Sequence, residues 1–205
     1  MIKIDNISKS FGERKIIDKF SLNIEEGSMV SIMGESGKGK TTLLNLISLL
    51  EKPDSGLIVI DNISKFNKKN TMLMRRNVIG NLFQNYALLE NETVKENLLM
   101  ALEYKKVSNK KDAIANALKK VNLDGFENKK IYELSGGEQQ RIAIARLYLQ
   151  DVKYIFADEP TGNLDEKNKE IVFNLLRELC NSGKSVVFVT HDNDLAKRAD
   201  KMILL

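Results

Sequence analysis

Gly34-Glu35-Ser36-Gly37-Lys38-Gly39-Lys40-Thr41 follows the pattern G-x-x-x-x-G-K-[ST], between an apolar run at Ser28 to Met33 and a helical pattern at Thr41 to Leu50. A strand, a glycine-rich turn and a helix in that order form a cradle for phosphate. The glycines let main-chain N–H groups turn inward, and the helix adds the positive end of its dipole. The positions assigned to this cradle are Gly34, Glu35, Ser36, Gly37, Lys38, Gly39, Lys40, Thr41 and Thr42. Lys40 is expected to reach the β- and γ-phosphates of a nucleotide, and the Thr41 hydroxyl to hold Mg²⁺. Taken alone, the loop leaves kinases, GTPases and helicases open.

Outward from this loop, short apolar runs ending in turns alternate with helical patterns, the order expected of an α/β fold. Tyr154 to Ala157 precedes a helix at Lys167 to Cys180. In that helix Ile171, Leu175 and Leu179 share one stripe, Val172, Leu176 and Cys180 the next, and Lys169, Glu170, Arg177 and Glu178 face outward. Cys180 reads as core filler. Ser185 to Thr190 is too continuously apolar for a half-exposed strand and is expected to be a central parallel strand covered on both faces. From Asn85 to Glu133 strand signals give way to helical ones. Thr93-Val94-Lys95-Glu96 has the form of a capping box ahead of Leu98, Leu99 and Leu102, and a second helix near Lys110 to Val121 puts Ile114, Leu118 and Val121 on one side. Residues 85–133 therefore read as a helical lobe inserted into an α/β core made of 1–84 and 134–205, within one domain spanning 1–205.

At 205 residues, 42% of them hydrophobic and only two of them proline, the chain has apolar material for one cooperative core. No apolar run approaches the roughly 18 residues of a membrane-spanning helix. Even Thr41 to Leu50 is broken by Asn45 and Ser48. Met1-Ile2-Lys3-Ile4-Asp5 lacks the form of a secretory signal, and the lone Cys180 excludes an internal disulfide or a multi-cysteine metal site. A cytoplasmic protein is expected. The net charge of +4 comes with lysine pairs, Lys68-Lys69, Lys105-Lys106, Lys110-Lys111, Lys119-Lys120 and Lys129-Lys130, scattered among acids. They read as solvated helix faces, and no nucleic-acid partner is expected.

Tyr154-Ile155-Phe156-Ala157-Asp158-Glu159 is an apolar run ending in two carboxylates, at the strand edge where α/β sheets bind ligands. Asp158 is the candidate to hold Mg²⁺ through water. Glu159, pointing the other way or lying just beyond the strand, is the candidate general base for an attacking water. Leu134-Ser135-Gly136-Gly137-Glu138-Gln139-Gln140-Arg141 holds another capping box, Ser135 with Glu138, opening a helix that is apolar almost all round from Ile142 to Leu149. A cap is worth about 1 kcal/mol and does not call for Gly136 and Gly137 behind it. Those glycines bare the first N–H groups of the helix, a second anion site distinct from the phosphate loop.

With this segment the chain resembles the ABC ATPase family, whose LSGGQ signature matches Leu134 to Glu138 with glutamate in last place. The resemblance spans nearly the whole chain. It implies a P-loop NTPase core of the ABC type with an antiparallel β subdomain and an inserted α-helical subdomain. It also implies a head-to-tail homodimer on ATP binding, each nucleotide lying between one chain's phosphate loop and the other chain's Ser135, Gly136, Gly137 and Glu138. On the same resemblance Phe11 stacks on adenine, Gln84 senses Mg²⁺ and the membrane partner, and His191 meets the γ-phosphate. Asp165, in Gly162-Asn163-Leu164-Asp165, belongs to the loop that communicates across the dimer. Catalysis then falls to Glu159 and His191, and Mg²⁺ to Thr41, Gln84 and Asp158, with ATP bound and ADP released.

Asp158-Glu159-Pro160-Thr161-Gly162-Asn163-Leu164-Asp165 is similar to the lipoprotein-release and macrolide-export subgroup of bacterial ABC ATPases. That subgroup also serves antimicrobial-peptide and bacteriocin export and cell-division signalling, and the short chain looks most like its bacteriocin-export members of the lactococcin type. The resemblance implies an ATPase peripheral to the inner face of the cell membrane, powering a separate integral membrane permease for a peptide, bacteriocin, lipoprotein or antimicrobial. A regulatory role in peptide sensing or cell-wall hydrolase control, without transport, stays open. A DNA-repair ATPase of the same family would carry a long coiled coil, and this chain has no heptad run. Lys38 departs from a position that is often small, adding charge beside the nucleotide. The sequence stops at Met202-Ile203-Leu204-Leu205, where relatives usually continue through another strand, so no regulatory tail is expected.

Overall fold

The computed structural model describes all residues, Met1–Leu205. The chain begins with β1 (Ile2–Phe11), β2 (Arg14–Ile24) and β3 (Met29–Met33), followed by α1 (Lys40–Ile47), β4 (Ser55–Ile60), α2 (Lys68–Asn77) and β5 (Ile79–Leu82). Three helices come next, α3 (Val94–Ala101), α4 (Lys110–Lys120) and, after a 3-10 turn at Ile131–Glu133, α5 (Gly136–Gln150). The chain then returns through β6 (Tyr154–Asp158), α6 (Glu166–Asn181), β7 (Ser185–Val189), α7 (Asn193–Lys197) and β8 (Lys201–Leu204). Strands β2-β1-β4 form a three-stranded antiparallel sheet, and β5-β6-β7-β3-β8 a five-stranded parallel one.

The parallel sheet is covered on both faces, and its side chains sort accordingly. Along β6, Tyr154 and Phe156 enter one core while Ile155 and Ala157 enter the other. Along β7, Val187 and Val189 join the first, and Val186 and Phe188 the second. That is the period of two of a strand buried on both sides, and it explains why Ser185 to Thr190 shows no polar alternation. The first core is closed by α1, by Met74 of α2 and by the antiparallel sheet through Ile2, Ile4, Ile24, Ile58 and Ile60. The second is closed by α3, α4, α5 and α6. There Phe188 meets Phe173 edge to face, with centroids 6.1 Å apart, and Cys180 is buried as filler.

Local signals explain where the helices start and stop. Thr93 Oγ1 accepts from the Glu96 N–H and the Glu96 carboxylate accepts from the Thr93 N–H, so the capping box that opens α3 is formed. Helix α4 buries Ile114 and Leu118, with Val121 just past its end. Helix α1 stops at Ile47, short of Leu50, because Leu49 takes a left-handed φ of 60° and the Leu50 N–H turns back to the Asn45 carbonyl. The lysine pairs at 68–69, 110–111 and 119–120 lie on helices, whereas 105–106 and 129–130 lie in connecting segments. On α3, Asn97 is fully buried and braces the segment that arrives from β5. It accepts from the Leu89 N–H at 2.7 Å and donates to the Leu89 and Thr93 carbonyls at 3.1 and 3.0 Å.

Burial predicts how two aromatic positions differ in weight. Phe188→Ala empties a site that is 2% exposed and is expected to cost about 3–5 kcal/mol in urea denaturation. Phe11→Ala, at a side chain 52% exposed, is expected to change stability by about 0.5 kcal/mol or less. Equal losses at the two positions would contradict the layer assignment.

Candidate nucleotide site

The order of the parallel sheet is also the order of the site. The C-terminal ends of β5, β6, β7 and β3 lie side by side and lead into Gln84, Asp158-Glu159, His191 and the phosphate loop. Register ties them closely, since Val189 pairs with Asp158 on one side and with Ile32 on the other. A cleft of ≈ 420 Å³ opens at this edge. It takes in Ser36, Gly37, Gly39, Lys40, Thr41 and Thr42, and Phe11, Gln84, Glu159 and His191 complete it.

Within the loop, Gly37 and Gly39 have φ of 79° and 91°, left-handed values that glycine adopts freely. A Cβ at Gly39 would come within 2.5 Å of the Ile16 side chain, so β2 presses against the loop and only glycine fits. Helix α1 begins at Lys40 with no side-chain cap and no acid in its first turn. Its first N–H groups and its positive dipole end are therefore unopposed by any side-chain acceptor. The Lys40 ammonium donates to the Gly34 and Glu35 carbonyls, each at 2.9 Å, which curls the side chain over its own loop. Gly34, Glu35 and Lys38 do not line the cleft. Lys38 and Glu35 form an exposed pair at 3.8 Å on the outer side, and Gly34 is backed by Leu205, whose carbonyl oxygen would lie 2.9 Å from a Cβ there.

The two acids at the end of β6 are held differently. Asp158 accepts from the Thr41 hydroxyl at 3.1 Å. Burial pushes its carboxyl above the ordinary range, opposed by the Thr41 bond, reinforced by the charge of Glu159 and opposed again by Lys40. Glu159 lies just beyond the strand with a left-handed φ of 46°. That conformation costs a residue with a Cβ about 1–2 kcal/mol and is held here by main-chain bonds from Glu159 N–H to the Val189 carbonyl and from Gly162 N–H to the Glu159 carbonyl. It turns the carboxylate toward His191, whose Nδ1 lies 3.0 Å from Glu159 Oε2. No three of His, Cys, Asp and Glu cluster to hold a metal by themselves. The hydroxyl of Thr41, the carboxylate of Asp158 and the amide oxygen of Gln84 are hard donors. They suit an Mg²⁺ that also takes oxygens from substrate phosphates.

Ser135, Gly136, Gly137, Glu138 and Asp165 do not line the cleft. The Ser135 hydroxyl accepts from the Glu138 N–H, while the Glu138 carboxylate accepts from the Ser135 N–H at 2.8 Å and the Ser135 hydroxyl at 2.7 Å. Those bonds, the hydroxyl's first, hold the Glu138 carboxyl below its usual range. The N–H groups of Gly136 and Gly137 take no part in the cap. A Cβ at Gly137 would lie 2.5 Å from the side chain of Asn168, which explains the glycine. Asn168 in turn accepts from Arg141 and donates to Asp165, the residue that caps α6. One chain thus presents two helix ends suited to phosphate, and within a single copy they do not meet.

Five participants escaped the assignment of site residues from sequence. Ile16 and Val189 line the cleft, and Gly162 and Asn163 enter it from the turn that leads to Asp165. Arg14 adds its guanidinium to the loop, donating to the Gly37 carbonyl at 3.5 Å. The turn residues sit inside the acidic octapeptide and could have been proposed from it. Arg14 and Ile16 carry no local signal, because the hairpin β1-β2 alone brings them there.

Residues 17–162 match the family model described as ABC transporter. The chain is 40% identical over 209 residues to the lipoprotein-releasing system ATP-binding protein LolD of Bacteroides fragilis, covering 99% of this chain and 96% of that one. It is 41% identical over 207 residues to the macrolide export ATP-binding/permease protein MacB of Campylobacter jejuni, covering 99% of this chain but 32% of MacB. Among solved structures, the dimeric bacterial ABC transporter cassette MJ0796 superposes with a TM-score of 0.91 at 39% identity, covering 100% of this chain and 94% of that one. The same cassette in a dimeric post-hydrolysis state bound to ADP and Pi gives 0.90 at 38% identity. An uncapped helix start beside a lysine, with carboxylates on the neighbouring strand, is chemistry for nucleotide phosphates, and together with these likenesses it shows that the chain belongs to the ABC transporter family as an ATP-binding, ATP-hydrolysing subunit.

Proposed function

We propose that this subunit works as a head-to-tail pair at the inner face of the cell membrane and powers a separate permease that exports a lipoprotein, an antimicrobial or a peptide such as a bacteriocin. The observation that carries the reading is the separation of two complementary half-sites on one chain: a cleft at the sheet edge and a glycine-opened helix end at α5. A second copy in opposite orientation lets each half find its complement. Phosphate charge is the adhesive. The start of α1, Lys40 and the partner's glycine N–H groups each offset it, so that the nucleotide bridges the two chains.

In this reading Phe11 stacks on the adenine, while Lys40 and the first N–H groups of α1 hold the phosphates. Thr41, Asp158 and Gln84 would hold Mg²⁺, which supplies neutralising charge to the phosphate oxygens. Glu159 accepts the proton of the attacking water. His191 donates from Nδ1 to the Glu159 carboxylate and, as the imidazolium, from its other ring nitrogen to the γ-phosphate. Glu138 is turned back onto Ser135, so the acid that replaces the usual glutamine spends a carboxylate oxygen on the cap of its own helix.

Export is supported by the printed name of MacB, lipoprotein handling by that of LolD, and a permease partner by the ATP-binding/permease name of MacB. No helix of the chain is long and apolar enough to cross a membrane. A second groove of ≈ 800 Å³ lies between α2 and the end of α3, lined by Arg75, Arg76, Met72, Met100 and Tyr104 among others. It offers a permease segment both apolar anchors and cationic partners.

Two variants test the site. Glu159→Gln is expected to lower turnover by at least about 100-fold while retaining ATP, and to sediment as a dimer in saturating ATP. A monomer under those conditions would contradict the paired arrangement. Lys40→Ala removes a charge-assisted hydrogen-bond donor and is expected to weaken ATP affinity by about 10- to 100-fold in equilibrium binding. Unchanged affinity would take Lys40 out of the site.

A further inference from the structure

Between the cleft and the signature helix runs the segment that follows β5. Gln84 lines the cleft. Just after it, Tyr86 and Ala87 have φ of 62° and 47°, successive left-handed residues that both carry a Cβ. Such a pair is unfavourable, and beyond the loop's own bonds, Tyr86 N–H to the Phe83 carbonyl and Ala87 N–H to the Asn85 carbonyl, it draws on restraint from outside. The restraint comes from Arg146, near the end of α5, whose guanidinium donates to the Ala87 carbonyl at 2.6 Å and to the Tyr86 carbonyl at 3.0 Å. Arg146 is partly buried and has no carboxylate partner, so these main-chain oxygens are what compensates its charge. Burial accordingly pushes its guanidinium below the ordinary value.

The loop also touches the other end of the same helix. The Tyr86 hydroxyl lies 3.0 Å from where a Cβ on Gly136 would stand, so the ring reaches the first residue of α5. Asn97 braces the following stretch through both polar groups of Leu89. The Gln84 loop is therefore fixed to α5 near both ends of that helix.

We propose that Arg146 is a positioning residue for ATP turnover: it fastens the Gln84 loop to α5, so that Gln84 in one site and the helix end at Ser135 to Gly137, presented to the other site, move as one body. The inference rests on the reading of Gln84 as part of the cleft's chemistry and of the α5 end as the partner's half-site. Lysine in place of Arg146 keeps the charge but cannot serve both carbonyls with one planar fork. The role is one of alignment, so its loss falls on turnover and spares binding.

The test uses the full chain with Arg146→Lys and Arg146→Gln, measuring ATPase kcat and KM per site, with sites counted by stoichiometric binding of a fluorescent ATP analogue. Arg146→Lys is expected to keep KM and analogue affinity within about two-fold while kcat per site falls by about ten-fold, with a larger fall in Arg146→Gln. The proposal is overturned if kcat per site in Arg146→Lys stays within about two-fold of wild type, or if the lost activity is fully matched by lost binding sites, as a purely structural role requires. Should Arg146→Gln fail to fold, Arg146→Lys decides alone. Gln84→Ala separates the two layers of the argument. Full turnover in that variant overturns the reading of Gln84 as a site residue. Reduced turnover there, beside an unaffected Arg146→Lys, overturns the fastening alone.

Discussion

Parallel hydrogen bonding among β6, β7 and β3 brings three strands to an end at one edge of the sheet, and the loops that leave that edge share a single cleft. The chemistry of the cleft is hung on this arrangement. The strands stay straight and adjacent because both of their faces are buried, Tyr154 and Phe156 on one side and Ile155, Val186 and Phe188 on the other. A slip of one residue would exchange those faces, so the register that sets Asp158 beside Val189 is enforced by two cores at once.

Charge is distributed unevenly over this frame. Helix α1 starts with no capping side chain and no acid, whereas α5 starts with a complete capping box whose acid is spent on Ser135. The first leaves its whole N-terminal end to a ligand. The second keeps its own stability and leaves the N–H groups of Gly136 and Gly137 outside its cap, with Gly137 itself buried against Asn168. Asn168 explains why position 137 tolerates no side chain, and through Asn168 the signature helix is tied to Asp165 and the start of α6. The two ends belong to one chain and face different surroundings, which is the physical ground for expecting a second copy of the chain to complete each site.

What could be read from the sequence was what is local. The phosphate loop, the acids closing β6, the capping boxes at Thr93 and Ser135 and the two-sided burial of β7 each rest on a few consecutive residues. The antiparallel sheet was reached through family resemblance, because β1 hides its alternation. Asn6 at φ 49° shifts the register, so the buried positions run Ile2, Ile4, Ile7. That bulge lies against Gly56, where a Cβ would fall 2.4 Å from the Asn6 carbonyl oxygen. Helix α2 was missed because it buries only Met74 and so carries almost no apolar stripe. Gln84 has no signal in its neighbours, and Arg14 and Ile16 reach the loop only through the hairpin. The second anion site was legible at Ser135 to Gly137, but its pairing with another copy's phosphate loop came from the family resemblance.

The central claim is that each ATP is hydrolysed between two chains. Mixing two inactive variants measures this directly: Lys40→Ala, with a damaged cleft and an intact α5 end, and Ser135→Asp, with an intact cleft and an acid that still caps α5 but repels phosphate. Head-to-tail pairing predicts that the mixture recovers ATPase activity, because one of the two sites in a mixed dimer combines an intact cleft with an intact helix end. A mixture as inactive as its separate components, with mixed dimers shown to form, would contradict the account.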